Sequence, residues 1–279
     1  MIRRPPRSTL SPSSAASDVY KRQHLDLAHA GDWYFCLAHL YIKHDSYRQF
    51  FKRVRSLGGY VLLDNGAAEH SLVTEDILID VVKDLKPNEV IAPDILYDKD
   101  ATLTSLNSFI DKMNKYNLTT HTKIFGCPQG KTIDEWLECY ESMLNNPAVS
   151  VIGLSKIDIP YCWYKATDDQ LIAESRNECV KLLVNRNLIK KPIHFLGMGD
   201  PAEYLYYHTF APDIKKFFRS TDSCYTVLAA IHGIDFHKNF KRIKTYNEYF
   251  NTTITEDQIK LALKNIWYLR KILRKGGEQ

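Results

Sequence analysis

Asp64, Asp94 and Asp222 each close a short apolar run rather than lying in a charge-rich segment, within VLLD, IAPD and FFRSTD. An aspartate at the end of a buried strand is partly desolvated, which disfavours its charged form and tunes it for proton transfer. Two neighbouring carboxylates divide roles, one attacking and one handling protons. Retaining cleavage of a glycosidic bond uses that division at roughly 5 Å separation. A third carboxylate accepts hydrogen bonds from amide-like N–H groups on a ligand. The same three side chains also suit a hard cation such as magnesium, and spacing alone leaves both chemistries open. A single strand-end aspartate is more often a helix cap or turn residue than a catalyst. That role is assigned to Asp98 and Asp100 in YDKD and to Asp158 in KIDIP.

Gathering three such residues needs a repeating scaffold. Apolar runs recur at residues 33–41 (WYFCLAHLY), 60–63, 89–93, 123–127 (KIFGC), 150–154 (SVIGL), 193–196 (IHFL) and 216–219 (KFFR). Near-continuous apolarity predicts strands buried on both faces, as in a parallel sheet. Between them the apolar residues take helical spacing: Tyr47, Phe50, Phe51 and Val54 in 45–56, and Ile77, Leu78, Val81 and Val82 in 74–85. Residues 132–144 and 173–187 repeat the pattern. The last helix opens on Thr255-Glu256-Asp257-Gln258, a capping box, and runs through Ile259, Leu261, Leu263, Ile266 and Leu269.

Strand–helix alternation leaves an open doubly wound sheet or a closed barrel. The polar and glycine-rich strand ends decide for the barrel, where all of them meet at one mouth. They are Asp64-Asn65-Gly66, Asp94, Gln129-Gly130, Gly153-Leu154-Ser155, Gly197-Met198-Gly199 and Asp222. The expected architecture is α/β, a single (β/α)8 TIM barrel over residues 24–279. Its eighth strand is weakly marked between 226 and 245, and loops are expected at 204–212 and 236–251.

Residues 1–23 differ in kind, being rich in Ser, Pro and Arg with almost no apolar periodicity. Pro5-Pro6 opposes the amphipathic helix of a transit peptide. The segment resembles translated sequencing-adapter sequence and is expected to be a disordered tail. It holds Arg3, Arg4, Arg7, Lys21 and Arg22 against Asp18, which accounts for the whole chain's net +4, so residues 24–279 are neutral. Net charge therefore gives no licence for nucleic-acid binding, although the cations are skewed toward the C-terminal third. The six cysteines lack CxxC pairs and zinc-ligand clustering, and read as reduced, mostly buried thiols of a cytoplasmic protein. No stretch approaches the ~18 apolar residues that spanning a bilayer takes.

Together the motifs resemble the tRNA-guanine transglycosylases, and more closely their viral relatives that insert 7-deazaguanines into DNA. The likeness runs from about Gly58 to Thr226. LLDNGA (62–67) is similar to the family's Asp-Ser-Gly-Gly segment, and IAPD (91–94) to its second aspartate strand end. FGCPQG (125–130) resembles its Val-Gln-Gly-Gly turn, and VIGLS (151–155) its Gly-Leu element. HFLGMGDP (194–201) looks like its Leu-Met-Gly-Val-Gly-x-Pro segment, and FFRSTDSC (217–224) sits where the nucleophile belongs. Six motifs in the family's order carry far more weight than any one of them.

The resemblance implies that Asp222 attacks the sugar C1′, expelling guanine and forming a covalent glycosyl-enzyme. Asp64 would be the general acid/base. Asp94 would bind the N1/N2 edge of the base, beside Asn65, which stands where the family has serine. Gln129 and the backbone N–H of Gly153 would bind O6, and Leu196 and Gly197 would wall the base slot. No cofactor or metal is implied. The partners would be a free 7-deazaguanine base, such as the 7-cyano or 7-amido form, and a nucleic acid whose target base is flipped from the stack. Family members often pair, so a homodimer is also implied.

Two departures refine this. The tRNA enzymes carry a Cys-x-Cys-x-x-Cys…His zinc site in a C-terminal insertion, whereas the only cysteine here past Cys179 is Cys224. The missing insertion favours DNA over tRNA. Ala68 stands where an aromatic would cover the base. Tyr204, Tyr206, Tyr207 and Phe210 suit helix packing first and base stacking second, while His194 reads as a core histidine and His121 as a loop residue. Lys238, Lys241, Arg242 and Lys244 are the expected contacts to the phosphate backbone; Arg270, Lys271, Arg274 and Lys275 complement a helix C-terminus first. The same chemistry on tRNA, a silent nucleic-acid-binding barrel and a metal-dependent hydrolase using the three aspartates are the competing readings.

Overall fold

The computed structural model describes residues 25–68, 71–167, 171–201, 203–204, 218–238 and 253–274. The tail expected at 1–23 lies outside them. Seven strands form one all-parallel sheet in sequence order: β1 (Tyr34–Leu37), β2 (Val61–Asp64), β3 (Glu89–Ile91), β4 (Lys123–Gly126), β5 (Val149–Leu154), β6 (Ile193–Phe195) and β7 (Phe218–Thr221). Every residue of β2, β3 and β6 is buried, the burden of a strand covered on both faces. The sheet is curled into a half-barrel flanked by helices. Its curl brings distant strands together across the interior. Arg219 of β7 pairs with Glu89 of β3, and Trp33, just ahead of β1, packs edge-on against His194 of β6 at 5.4 Å.

The helices are α1 (Ala38–Lys43), α2 (Asp45–Ser56), α3 (Glu75–Leu85), α4 (Lys99–Lys115), α5 (Ile133–Asn145), α6 (Asp158–Tyr164), α7 (Ile172–Asn185), α8 (Tyr225–Ile231) and α9 (Glu256–Arg274). Side chains of Thr74, Asp98 and Thr132 cap α3, α4 and α5 by accepting from Ile77, Ala101 and Glu135 N–H, each worth ~1 kcal/mol. The capping box at α9 forms in both directions, Thr255 N–H to Gln258 Oε1 (2.9 Å) and Gln258 N–H to Thr255 Oγ1 (3.3 Å). α9 packs on α8 and on the 3-10 turn Leu25–Ala30, where Arg270 donates to Ala30 O (2.6 Å) and pairs with Asp32 (2.5 Å). The element after β7 is thereby joined to the one before β1.

One expectation needs correction, and another is reached only in part by the described residues. The run 33–41 is not one strand: β1 ends at Leu37, and Ala38, Leu40 and Tyr41 are buried on α1, because continuous apolarity does not distinguish a strand from a buried helix. The eighth strand is absent among the described residues, since 225–231 is helical and 232–238 forms turns; residues 239–245 lie outside them. No described helix is long and apolar enough to cross a membrane.

Candidate active site

The C-terminal ends of all seven strands surround one open cavity. Phe35 enters from β1, Asp64 and Asn65 from β2, and Ile91 and Asp94 from β3. Cys127 and Gln129 follow β4, Ser155 and Lys156 follow β5, Leu196 and Gly197 follow β6, and Asp222 follows β7. Thus seven of the predicted site residues meet here: Asp222, Asp64, Asn65, Asp94, Gln129, Leu196 and Gly197. Ala68 lines the same space.

Asp94 is held between two amides. Asn65 Nδ2 donates to its Oδ1 (2.6 Å), and Gln129 Nε2 donates to its Oδ2 (2.5 Å). Asn65 also donates to Ala92 O and accepts from Ala67 N–H, both at 2.8 Å. Its amide is thus committed to fixing Asp94. Burial pushes the Asp94 carboxyl up to about 6, against the lowering pull of Asn65 and Gln129. Such a carboxylate is ionised at neutral pH yet lies in a dry, preorganised place, which suits recognition of paired N–H donors. Asp64 accepts from Gly66 N–H at Oδ2 (2.8 Å).

Asp222 Oδ1 accepts from His194 Nε2 (2.8 Å) and from Gly197 N–H (3.1 Å). Gly197 has φ +63°, and a Cβ there would come within 2.3 Å of Lys156 Cδ. Glycine takes that backbone turn without strain, and a larger residue would also displace the Lys156 side chain that passes over it. On the outer side, the fully buried Arg176 of α7 donates to Leu154 O (3.3 Å) and Leu196 O (2.6 Å) and pairs with Glu203 (2.7 Å). It pins the ends of β5 and β6 behind the cavity wall. Lys156, which lines the cavity, and Arg176 behind its wall are site neighbours that the sequence reading missed.

Other expectations resolve differently. Gly153 lies within β5 but does not line the cavity; a Cβ on it would strike Phe125 Cε1 at 2.5 Å and Leu196 Cδ1 at 2.9 Å. Its lack of a side chain makes room for the wall. Lys238 is exposed on the turn after α8, and Lys241, Arg242 and Lys244 lie outside the described residues, as do Tyr206, Tyr207 and Phe210. Tyr204 is buried and donates to Met198 O (2.9 Å), a packing role. Asp98 caps α4 and His121 is exposed, as expected. Five of the six cysteines are buried and none is paired. Among the described residues, no group of three or more His, Cys, Asp or Glu side chains is arranged to hold a metal ion.

Asp158 is more than a turn residue. It is fully buried, accepts from Gly130 N–H (3.4 Å) and Cys162 Sγ–H (3.4 Å), and so ties the loop carrying Gln129 to α6. Burial raises its carboxyl to about 7 from 3.8. Between those values the folded protein keeps a proton that the unfolded chain has released, so stability falls as pH rises through this window. Asp158→Asn, which cannot ionise, is therefore expected to stabilise the protein at pH 8 by on the order of 2 kcal/mol and to have little effect near pH 4. Thermal melts at the two pH values read the difference; a variant less stable than wild type at pH 8 would contradict this account.

Compared with known proteins, the chain matches no family model and no curated relative. The site's own geometry must carry its interpretation.

Proposed function

We propose that the protein is a transglycosylase that exchanges guanine in DNA for a 7-deazaguanine base through a covalent Asp222–glycosyl intermediate. One observation supports this above others: residues of six separate motifs, resembling those of guanine transglycosylases, converge on a single cavity at the strand ends. In this reading the half-barrel belongs to a (β/α)8 barrel. The enzyme works in the cytoplasm without cofactor.

The chemistry balances in two displacements. A carboxylate oxygen of Asp222 bonds to C1′ as the C1′–N9 bond breaks, and the electron pair leaves on guanine, which takes a proton from Asp64. The incoming base then gives its ring proton to Asp64 as its nitrogen attacks C1′ and releases Asp222. Asp94 receives the N–H edge of the base, Gln129 stands beside it, and Leu196 and Gly197 form a wall.

Incubation with duplex DNA and 7-cyano-7-deazaguanine, followed by digestion to nucleosides and mass spectrometry, tests the proposal. A modified deoxynucleoside is expected. Modified guanosine in a parallel tRNA reaction, with none in DNA, would transfer the chemistry to tRNA; no product in either overturns the reading.

Asp94 makes a second prediction. Its carboxylate must be ionised to accept two N–H groups, so affinity for the free base should fall by up to about tenfold per pH unit below about 6. Asp94→Asn should bind the base ~10–100-fold more weakly at neutral pH and flatten that dependence. Calorimetric titration at several pH values checks both.

A further inference from the structure

A line of polar groups, buried except for Arg219 and Tyr60, runs from β3 to Asp222. It begins at Glu89, whose Oε1 accepts from Arg219 Nη1 and from the Tyr60 hydroxyl. Arg219 Nε then donates to Ser220 Oγ (3.1 Å), and Ser220 Oγ lies 2.8 Å from His194 Nδ1. A guanidinium N–H can only donate. Ser220 Oγ accepts from Arg219 and keeps one proton and one lone pair for Nδ1, so Asp222 sets the direction. Its Oδ1 already accepts from Gly197 N–H (3.1 Å), and a carboxylate can only accept, so the ring proton sits on Nε2 (2.8 Å); Nδ1 of the neutral ring then accepts the Ser220 proton. The rings of Trp33 and Phe125 meet the imidazole edge-on, each at 5.4 Å, and fix its plane.

We propose that His194 is a positioning residue, its neutral Nε2-protonated ring holding the Asp222 carboxylate at the cavity while that carboxylate and Ser220, on either side of the ring, fix the tautomer. With the proton on Nδ1 instead, a ring lone pair would face the carboxylate and the hydrogen bond would become a repulsion. Three charged groups face the ring: Asp222 and Glu89 favour its protonation, Arg219 opposes it, and burial keeps it below its ordinary value. The same donor serves the reaction at both stages, because a carboxylate and the ester formed from it each accept an N–H. This role rests on Asp222 as nucleophile, but the tautomer stands without it.

Nitrogen NMR on the full chain with isotopically labelled histidine reads the tautomer directly. One signal pair, absent in His194→Gln, should show protonated Nε2 and bare Nδ1, unchanged from about pH 5.5 to 8.5. Ser220→Ala should shift or split it. A ring protonated on Nδ1, or on both nitrogens at neutral pH, overturns the proposal. In base exchange, His194→Leu should lose ~100–1000-fold in kcat with KM for the free base little changed. His194→Gln, which retains an N–H at the same reach, should recover to within about tenfold of wild type. Equal losses in the two variants, or a leucine variant of full activity, also overturn it. If wild type does not exchange bases yet shows the expected tautomer, the proposed reaction fails and the hold on Asp222 is supported.

Discussion

Asp222→Ala is expected to abolish base exchange, lowering kcat by about 10⁴-fold or more, because the sugar loses the carboxylate with which it forms an ester. The same variant should lose the covalent protein–nucleic acid adduct that wild type accumulates when the second base is withheld. Nucleoside mass spectrometry reads the first effect and a denaturing gel the second. Removing the carboxylate also leaves His194 Nε2–H without the acceptor it has at 2.8 Å. A buried donor without a partner costs about 1–3 kcal/mol, so a lower melting temperature should accompany the loss. Turnover within tenfold of wild type, or an adduct that survives the substitution, would remove Asp222 from the mechanism.

Asp64→Asn should slow exchange by ~10²–10⁴-fold, the usual worth of a positioned proton donor. Asparagine keeps an oxygen for Gly66 N–H, which Asp64 Oδ2 accepts at 2.8 Å, so the local turn is expected to survive. What disappears is the exchangeable proton. The limb of the pH–rate profile that Asp64 contributes should vanish with it, while Asp222 still forms adduct slowly. A variant that keeps wild-type rates and the wild-type profile would assign proton transfer to another group.

Much of the sheet was legible because strand burial is written in sequence. All seven apolar runs overlap a strand, and the three carboxylates that follow such runs line one cavity. α4 was less legible: its buried face is Thr102, Leu106, Phe109, Ile110 and Met113, in a helix otherwise rich in Ser, Thr, Asn and Lys. α8 was missed because a short apolar run reads equally as strand. Arg176 carried a usable signal: it shares the i, i+3, i+4, i+7 stripe of α7 with Cys179, Val180 and Leu183. A charge on an apolar stripe has a buried partner to find. No sequence pattern could have supplied Glu203 as that partner, or Ser220 behind His194, since these contacts join elements 27 and 26 residues apart with no fixed spacing between them.

During synthesis the chain will carry all its described strands before the residues that join the sheet's two flanks exist. Arg270 meets Ala30 and Asp32 across 240 and 238 positions of sequence. A ribosome-bound intermediate would thus hold all three cavity aspartates on a sheet whose flanks are not yet joined. Such long-range closure is slow and leaves the growing chain open to association with its neighbours. Chaperone dependence and the order of translation, as much as the equilibrium fold, will then govern how much active protein a cell obtains.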